Sequence, residues 1–227
     1  MYTVILPAAG TGSRMKLGYN KLFHKIARRT VIEHTVAWFL NDIKCTQIII
    51  VVNIDDQIEM YDLFHSYPRV EITLGGDSRQ ESIYNALAQV REDIVMVHDG
   101  ARPFVTNIII DDCYEVALKG FGAVAAVLPK DTIKQRHSSK TDVIGQTLAR
   151  HELVSVQTPQ AFPTSVLKKA NELAKNAQTL STATDDSSLV EKYTEIDIKI
   201  VDSNYRNIKF TTVEDIAYFE FLMRRER

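Results

Sequence analysis

The feature that most constrains this chain is the run Thr3-Val4-Ile5-Leu6-Pro7-Ala8-Ala9-Gly10-Thr11-Gly12-Ser13-Arg14, with Lys21 shortly after it. Thr3 to Leu6 is β-branched and apolar without polar alternation, the pattern of a strand covered on both faces of a parallel sheet. Pro7 closes the strand. Ala8 to Ser13 then carry almost no side-chain bulk, so their backbone N–H groups can approach an anion closely and together. Arg14, a planar fork, and Lys21, a mobile point charge, add positive charge at the loop's exit. A strand feeding a phosphate cradle is the reading this composition supports over a plain turn with surface cations.

Two common phosphate motifs are excluded. A P-loop needs Gly, four residues and Gly-Lys-Ser/Thr, and nothing here fits. The dinucleotide fingerprint needs a third glycine where Met15 stands. There is no Gly-x-Ser-x-Gly elbow, and neither cysteine has an evident base, so covalent catalysis has no candidate. His98 reads as a packed histidine, and the other histidines lack ligand spacing.

Charge and length narrow the class further. A formal net charge of −2 over 227 residues gives no global basic field, so a nucleic-acid partner is not expected and any polyanion site must be a local pocket. Cys45 and Cys113 are lone thiols in apolar contexts, consistent with a reducing cytosol without disulfides or zinc. No apolar run reaches transmembrane length and no signal-peptide pattern opens the chain, so a cytoplasmic protein without a membrane partner is expected.

Further along, strands and helices alternate. Thr30-x-x-Glu33 has capping-box form and predicts a helix to about Leu40, Gln47–Val52 is a second buried strand, and Gln57–His65 is helical. Val70–Leu74 is a strand, and Ser78-x-x-Glu81 caps a helix whose buried stripe is Ile83, Ala86, Leu87 and Val90. Ile94–Val97 is a strand, Asn107–Leu118 a helix and Gly122–Leu128 a strand of small residues. This rhythm predicts an α/β fold with a doubly wound, mainly parallel sheet in a single domain, residues 1–227. The rhythm fails between Pro129 and Pro159, where two short strands around a polar tip (Gln135–Asp142) form a hairpin arm reaching to a partner subunit. Val166–Ala174 is helical, Leu180–Ser188 a polar loop, Ile196–Val201 the last strand, and Thr211-x-x-Glu214 caps the terminal helix.

Glycine is scarce, nine in all, yet Gly10, Gly12, Gly75, Gly76 and Gly100 each follow a predicted strand. In an open parallel sheet such strand ends share one edge, where ligands bind at the topological switch, so these loops should converge. Asp99 ends a wholly apolar strand, a position suited to a hard cation such as Mg²⁺, to a helix cap or to a salt bridge with Arg102. Arg14, Lys21, Arg102 and Lys209 sit at strand ends or loops, the cations that phosphate chemistry by positioning and charge requires.

Pro7-Ala8-Ala9-Gly10-Thr11-Gly12-Ser13-Arg14-Met15 with Lys21, Gly75-Gly76-Asp77-Ser78-Arg79 with Ser82, His98-Asp99-Gly100-Ala101-Arg102-Pro103, Asp131-Thr132-Ile133-Lys134, Gln157-Thr158-Pro159-Gln160 and Asn207-Ile208-Lys209 stand in order along the chain. Together they resemble the 2-C-methyl-D-erythritol 4-phosphate cytidylyltransferase family. The resemblance implies a Rossmann-like nucleotidyltransferase, homodimeric and dependent on Mg²⁺ or another divalent cation, that joins CTP and a polyol phosphate and releases pyrophosphate in non-mevalonate isoprenoid biosynthesis. It further implies that Ala8, Ala9, Gly76, Asp77 and Ser82 hold cytosine, and that Gly10, Asp99 and Gly100 line the ribose with Asp99 also placing the metal. Gly12 belongs to the CTP loop; Arg14 and Lys21 neutralise the triphosphate, and Lys209 touches the attacking phosphate. Thr132 and Arg150 on the arm grip the polyol phosphate across the dimer, with Arg102 and Thr184 nearby. Three positions depart from the family pattern: Asn20 and Leu22 around the loop lysine, which implies a less rigid loop, and Arg206 where an acidic residue is usual. The alternatives are a ribitol-5-phosphate cytidylyltransferase and a silent nucleotide-binding homologue.

Overall fold

The computed structural model describes residues 1–10, 15, 18–140 and 142–225. Its elements, in chain order, are β1 (Tyr2–Pro7), β2 (Lys25–Ile26), β3 (Arg29–Thr30), α1 (Val31–Asn41), β4 (Cys45–Val52), α2 (Gln57–Phe64), β5 (Val70–Leu74), α3 (Arg79–Leu87), β6 (Ile94–Val97), α4 (Asn107–Leu118) and β7 (Gly122–Val127). They continue with β8 (Lys134–Arg136), β9 (Ile144–Thr147), β10 (Ser155–Pro163), α5 (Thr164–Asn176), α6 (Asp186–Tyr193), β11 (Ile198–Asp202) and α7 (Glu214–Arg225).

The apolar run that opens the chain becomes an interior strand because both of its faces are covered. Tyr2, Val4 and Leu6 point into one buried cluster with residues of α1, α2, α4 and α7. Ile5 points into a second cluster with α3, α5 and α6. The sheet is therefore wound on both faces, and its seven strands lie in the order β11-β7-β10-β6-β1-β4-β5. β1 is parallel to β4 on one side and to β6 on the other. The chain moves outward from β1 to β4 and β5, then returns through α3 to β6 on the opposite side. That reversal opens a crevice at the carboxyl ends of β1 and β6, where an open α/β sheet binds ligands.

Several local expectations hold. Thr30 caps α1 with a reciprocal capping box to Glu33, and Ser78 caps α3 by accepting the Glu81 N–H. The Glu81 carboxylate, however, accepts from Asp77 N–H rather than from the cap residue, at 2.9 Å. Val90 is buried as expected but lies beyond the end of α3.

Other expectations are corrected. β10 departs from the sequence pattern: two prolines interrupt it, yet it runs antiparallel between β6 and β7. Its register shifts between Val156 and Gln160, around the cis Thr158-Pro159 bond, which is where a proline can sit inside a sheet. Residues 155–159 thus belong to the central sheet. The polar stretch read as a loop to Ser188 already contains the start of α6, capped reciprocally by Asp185 and Ser188. The box expected at Thr211 and Glu214 does not form, because Asp215 instead accepts from the Thr211 and Thr212 N–H groups, at 2.7 and 2.8 Å. The β8–β9 hairpin pairs only with itself, and its strands are exposed throughout.

The capping box at Thr30 gives a direct stability test. Thr30→Ala should lower unfolding free energy by about 1 kcal/mol, read as a lower urea midpoint with an unchanged slope. An unmoved midpoint would show that the cap contributes nothing.

Candidate active site

The crevice is a cavity of about 370 Å³. Three strand ends build it: Pro7 to Gly10 after β1, Gly76 to Ser82 after β5, and Asp99 to Ala101 after β6, with Asn20, Lys21, Leu22, Lys209 and Thr211 closing the sides. The convergence expected from the glycine positions is therefore present. Gly100 is a glycine for a steric reason, since a Cβ there would meet Ile32 Cδ1 at 2.9 Å and the Pro7 carbonyl at 3.4 Å. Gly10 differs: among the described residues nothing lies within 4 Å of the position a Cβ would take.

The Gly76–Ser82 wall is held by the first turn of α3. Gly76 N–H donates to Ser82 Oγ at 3.1 Å, and the Ser82 hydroxyl donates to the Ser78 carbonyl at 2.9 Å. The segment around Lys21 is held by Asn20. Asn20 donates to the Ala8 carbonyl at 2.9 Å and to Asp56 at 2.7 Å, and its side-chain oxygen accepts from Leu22 N–H at 3.1 Å.

Asp99 is the electrostatic centre. One carboxylate oxygen, Oδ2, takes Lys209 Nζ at 2.9 Å and Arg102 Nε at 3.3 Å; the other, Oδ1, lies 3.9 Å from Arg79 Nη2. Burial opposes ionisation, but Lys209, Arg79 and Arg102 outweigh it and hold the carboxyl well below the usual range. Arg79 is anchored in turn by Asp186, which is fully buried, at 2.9 Å. Of the readings left open by the sequence, the salt bridge to Arg102 is present, and Asp99 lines the cavity as an ionised carboxylate.

Behind Asp99 the backbone is racked by His98 and Thr158. His98 Nε2 lies 3.1 Å from the Arg102 carbonyl, which can only accept, so Nε2 carries the proton. Nδ1 then accepts from the Thr158 hydroxyl at 3.1 Å, and Thr158 Oγ1 accepts the Asp99 N–H at 3.0 Å. The Lys209 segment is docked by Phe210 N–H to the Ala101 carbonyl, 2.8 Å, and by Arg102 to the Asn207 carbonyl, 2.7 Å.

Not every expected residue lines this cavity. Ala8, Ala9, Gly10, Lys21, Gly76, Asp77, Ser82, Asp99, Gly100 and Lys209 do. Arg102 supports it from behind, through Asp99 and Asn207. Thr184 lines a separate shallow hollow with Thr179, Thr182 and Lys192. Thr132 is exposed on the approach to the hairpin, and Arg150 donates to the Lys130 carbonyl at 2.8 Å just beyond it. Gly12 and Arg14 lie outside the described residues. Sequence reasoning gave no role to Arg79, Asn20, Thr158 or Asp186. Arg79 stands in the quoted Gly75–Arg79 block, but only its contact with Asp186, more than a hundred positions away, reveals what it does.

No cluster of three or more metal-ligating side chains occurs among the described residues. A small hard cation that completes its shell with phosphate and water needs no such cage, and one ionised carboxylate at the cavity wall fits that need.

A mainly parallel, doubly wound sheet with a cation-lined crevice at its switch point is the frame of a Rossmann-like nucleotidyltransferase. The family model described as 2-C-methyl-D-erythritol 4-phosphate cytidylyltransferase matches residues 2–225. The chain belongs to that family. The enzyme of that name from Bacillus velezensis is 42% identical over 229 residues, covering 99% of this chain and 97% of the relative. The Bacillus pumilus enzyme is 42% identical over 230 residues, covering 100% and 98%. Among solved structures, 4-diphosphocytidyl-2C-methyl-D-erythritol synthase from Anaerococcus prevotii superposes with a TM-score of 0.86 at 28% identity, covering 99% of this chain and 96% of that one. No described helix is long and apolar enough to cross a membrane.

The His98 rack makes a pH prediction. Burial pushes the imidazole down to about 4, against an ordinary value of 6.5. The unfolded chain then takes up the proton first, so the stability tied to the neutral ring is complete above pH 6.5 and is lost as pH falls toward 4. NMR of the His98 ring should show a neutral Nε2–H tautomer with no titration near 6.5; a ring that protonates there would contradict the rack.

Proposed function

We infer that this chain transfers the cytidylyl group of CTP to 2-C-methyl-D-erythritol 4-phosphate and releases pyrophosphate, as a cytoplasmic step of non-mevalonate isoprenoid biosynthesis. The observation carrying this reading is the meeting of Ala8–Gly10, Gly76–Ser82 and Asp99–Gly100 with Lys21 and Lys209 in one cavity. Family membership points the same way and favours the erythritol substrate over ribitol phosphate.

In this reading Ala8, Ala9, Gly76, Asp77 and Ser82 hold the base, and Gly10, Asp99 and Gly100 hold the ribose. The small residues Ala8, Ala9 and Gly10 along this wall leave room for the nucleotide. A phosphate oxygen of the acceptor attacks the α-phosphorus in line; the new P–O bond forms as the bond to the β-phosphate oxygen breaks, and pyrophosphate departs with the electron pair. Lys21, and Arg14 and Gly12 of the same loop, stabilise the triphosphate as charge shifts to the leaving group. Lys209 orients the attacking phosphate. A divalent cation held by Asp99 would supply Lewis-acid neutralisation of the phosphate oxygens.

The stretch ahead of β10, residues 129–154, supplies the arm. The exposed hairpin carries Ile144 and Val143, and Leu128 and Val156 are exposed at its base. A second copy of the chain covering this surface would set Thr132 and Arg150 against the acceptor phosphate of the partner's site, with Arg102 and Thr184 contributing from the body.

Pyrophosphate release from CTP should require the erythritol phosphate and a divalent cation; release seen only with ribitol phosphate would overturn the substrate reading. Lys21→Ala and Lys209→Met should each lower kcat/KM by about 10²–10³-fold, the scale for a lost charge-stabilising donor. Unchanged turnover in either variant would mean that the chemistry is misassigned. Ile144→Asp should shift the sedimentation of the protein from dimer toward monomer and cost activity; an unaltered dimer would place the interface elsewhere.

A further inference from the structure

The two oxygens of Asp99 are not in equivalent surroundings. Oδ2 is occupied by Lys209 and Arg102, whereas Oδ1 has Arg79 at 3.9 Å, beyond hydrogen-bonding distance. A movement of about 1 Å would bring that guanidinium into an ordinary charge-assisted hydrogen bond with Oδ1. What opposes the movement is Asp186. Its Oδ2 takes Arg79 Nη2 at 2.9 Å, and Oδ1 is approached by Gln80 Nε2 at 3.4 Å. Gln80 also accepts from Arg79 Nη1 and donates to the Asp185 carbonyl at 3.2 Å. Asp186 is itself fixed, with the preceding Asp185 capping α6 and accepting from Gln160 of β10 at 2.8 Å.

We propose that Asp186 is a positioning residue: it holds the Arg79 guanidinium back from Asp99, so that carboxylate oxygen Oδ1 stays open to the cavity. Arg79 still contributes its charge to keeping Asp99 ionised, but it does not occupy the oxygen that faces a bound cation or ribose hydroxyl. An arginine with no such anchor would close onto Asp99 and compete with the ligand for it. The spacing between the two groups is therefore a functional dimension of the site, set by a side chain on α6 that does not line the cavity. This inference rests on the reading of Asp99 as the ligand-facing carboxylate.

The test is a mutant cycle on the full-length protein, with Mn²⁺ binding in the presence of CTP measured by electron paramagnetic resonance beside kcat and KM. Asp186→Asn frees Arg79 and should weaken Mn²⁺ binding by about tenfold, the scale of coupling between contacting charged residues. Arg79→Met combined with Asp186→Asn removes the competitor together with its anchor, and should return Mn²⁺ affinity to within about twofold of wild type. A purely structural role predicts the opposite order, with the double variant no better than the single. That result, or an Asp186→Asn protein that binds Mn²⁺ like wild type, overturns the proposal. Should Asp186→Asn fail to fold, the double variant alone decides: affinity near wild type supports the proposal, and a tenfold loss refutes it. Failure of wild type itself to bind Mn²⁺ with CTP would instead remove the role assigned to Asp99, and this inference with it.

Discussion

The site depends on one carboxylate placed at the end of a buried strand and surrounded by cations from three parts of the chain. Asp99 alone, nearly withdrawn from water, would be driven toward its neutral form. It remains ionised because Arg79 from the start of α3, Arg102 from the turn after β6 and Lys209 from the segment before α7 face it together. The dependence is mutual. Without Asp99 those cations would repel one another across a narrow crevice, so the ion cluster draws the cavity's walls together while leaving positive charge directed at an anion. The local positive field thus opposes the chain's overall net charge of −2.

The geometry behind that cluster comes from an antiparallel strand in an otherwise parallel neighbourhood. β10 lies between β6 and β7, and its irregular centre turns Thr158 toward Asp99 and Gln157 toward Asn207. Asn207 donates to both Gln157 and the Thr158 carbonyl, at 3.0 and 2.9 Å, which seats the Lys209 segment on the sheet. A proline that reads as an obstacle to strand formation therefore stands where the strand must deviate. The deviation brings polar side chains under the site.

Small residues and charges act on different scales here. Gly10 and the alanines before it keep side-chain bulk out of the cavity wall, an effect local to a few residues. The charges act between segments far apart in sequence, and their alignment needs the buried hydrogen bonds of His98, Thr158 and Asn20 to fix the backbone first. Buried polar groups bound in this way cost little once paired, and they set the site's dimensions more sharply than apolar packing does.

Much of this was legible in the chain itself. The strands and most helices follow from apolar periodicity and from caps such as Thr30 and Ser78, since both are local effects of backbone geometry and side-chain reach. The loops that meet in the cavity were marked by glycines after strands and by Asp99 at the end of an apolar run, and the motif blocks carried the family. Gly12 and Arg14 remain readings of the sequence, being outside the described residues. What the sequence could not determine is whatever depends on distant segments coming together. β10 hid behind its prolines because pairing with two neighbours, rather than propensity, makes it a strand. The start of α6 looked like loop because Asp185 and Ser188 favour turns until they cap a helix. The partners of Asp99 and Arg79 were fixed only when α3, α6 and the Lys209 segment closed around one crevice. Local order is written in neighbouring residues, whereas electrostatic pairing across a fold exists only once the fold has formed.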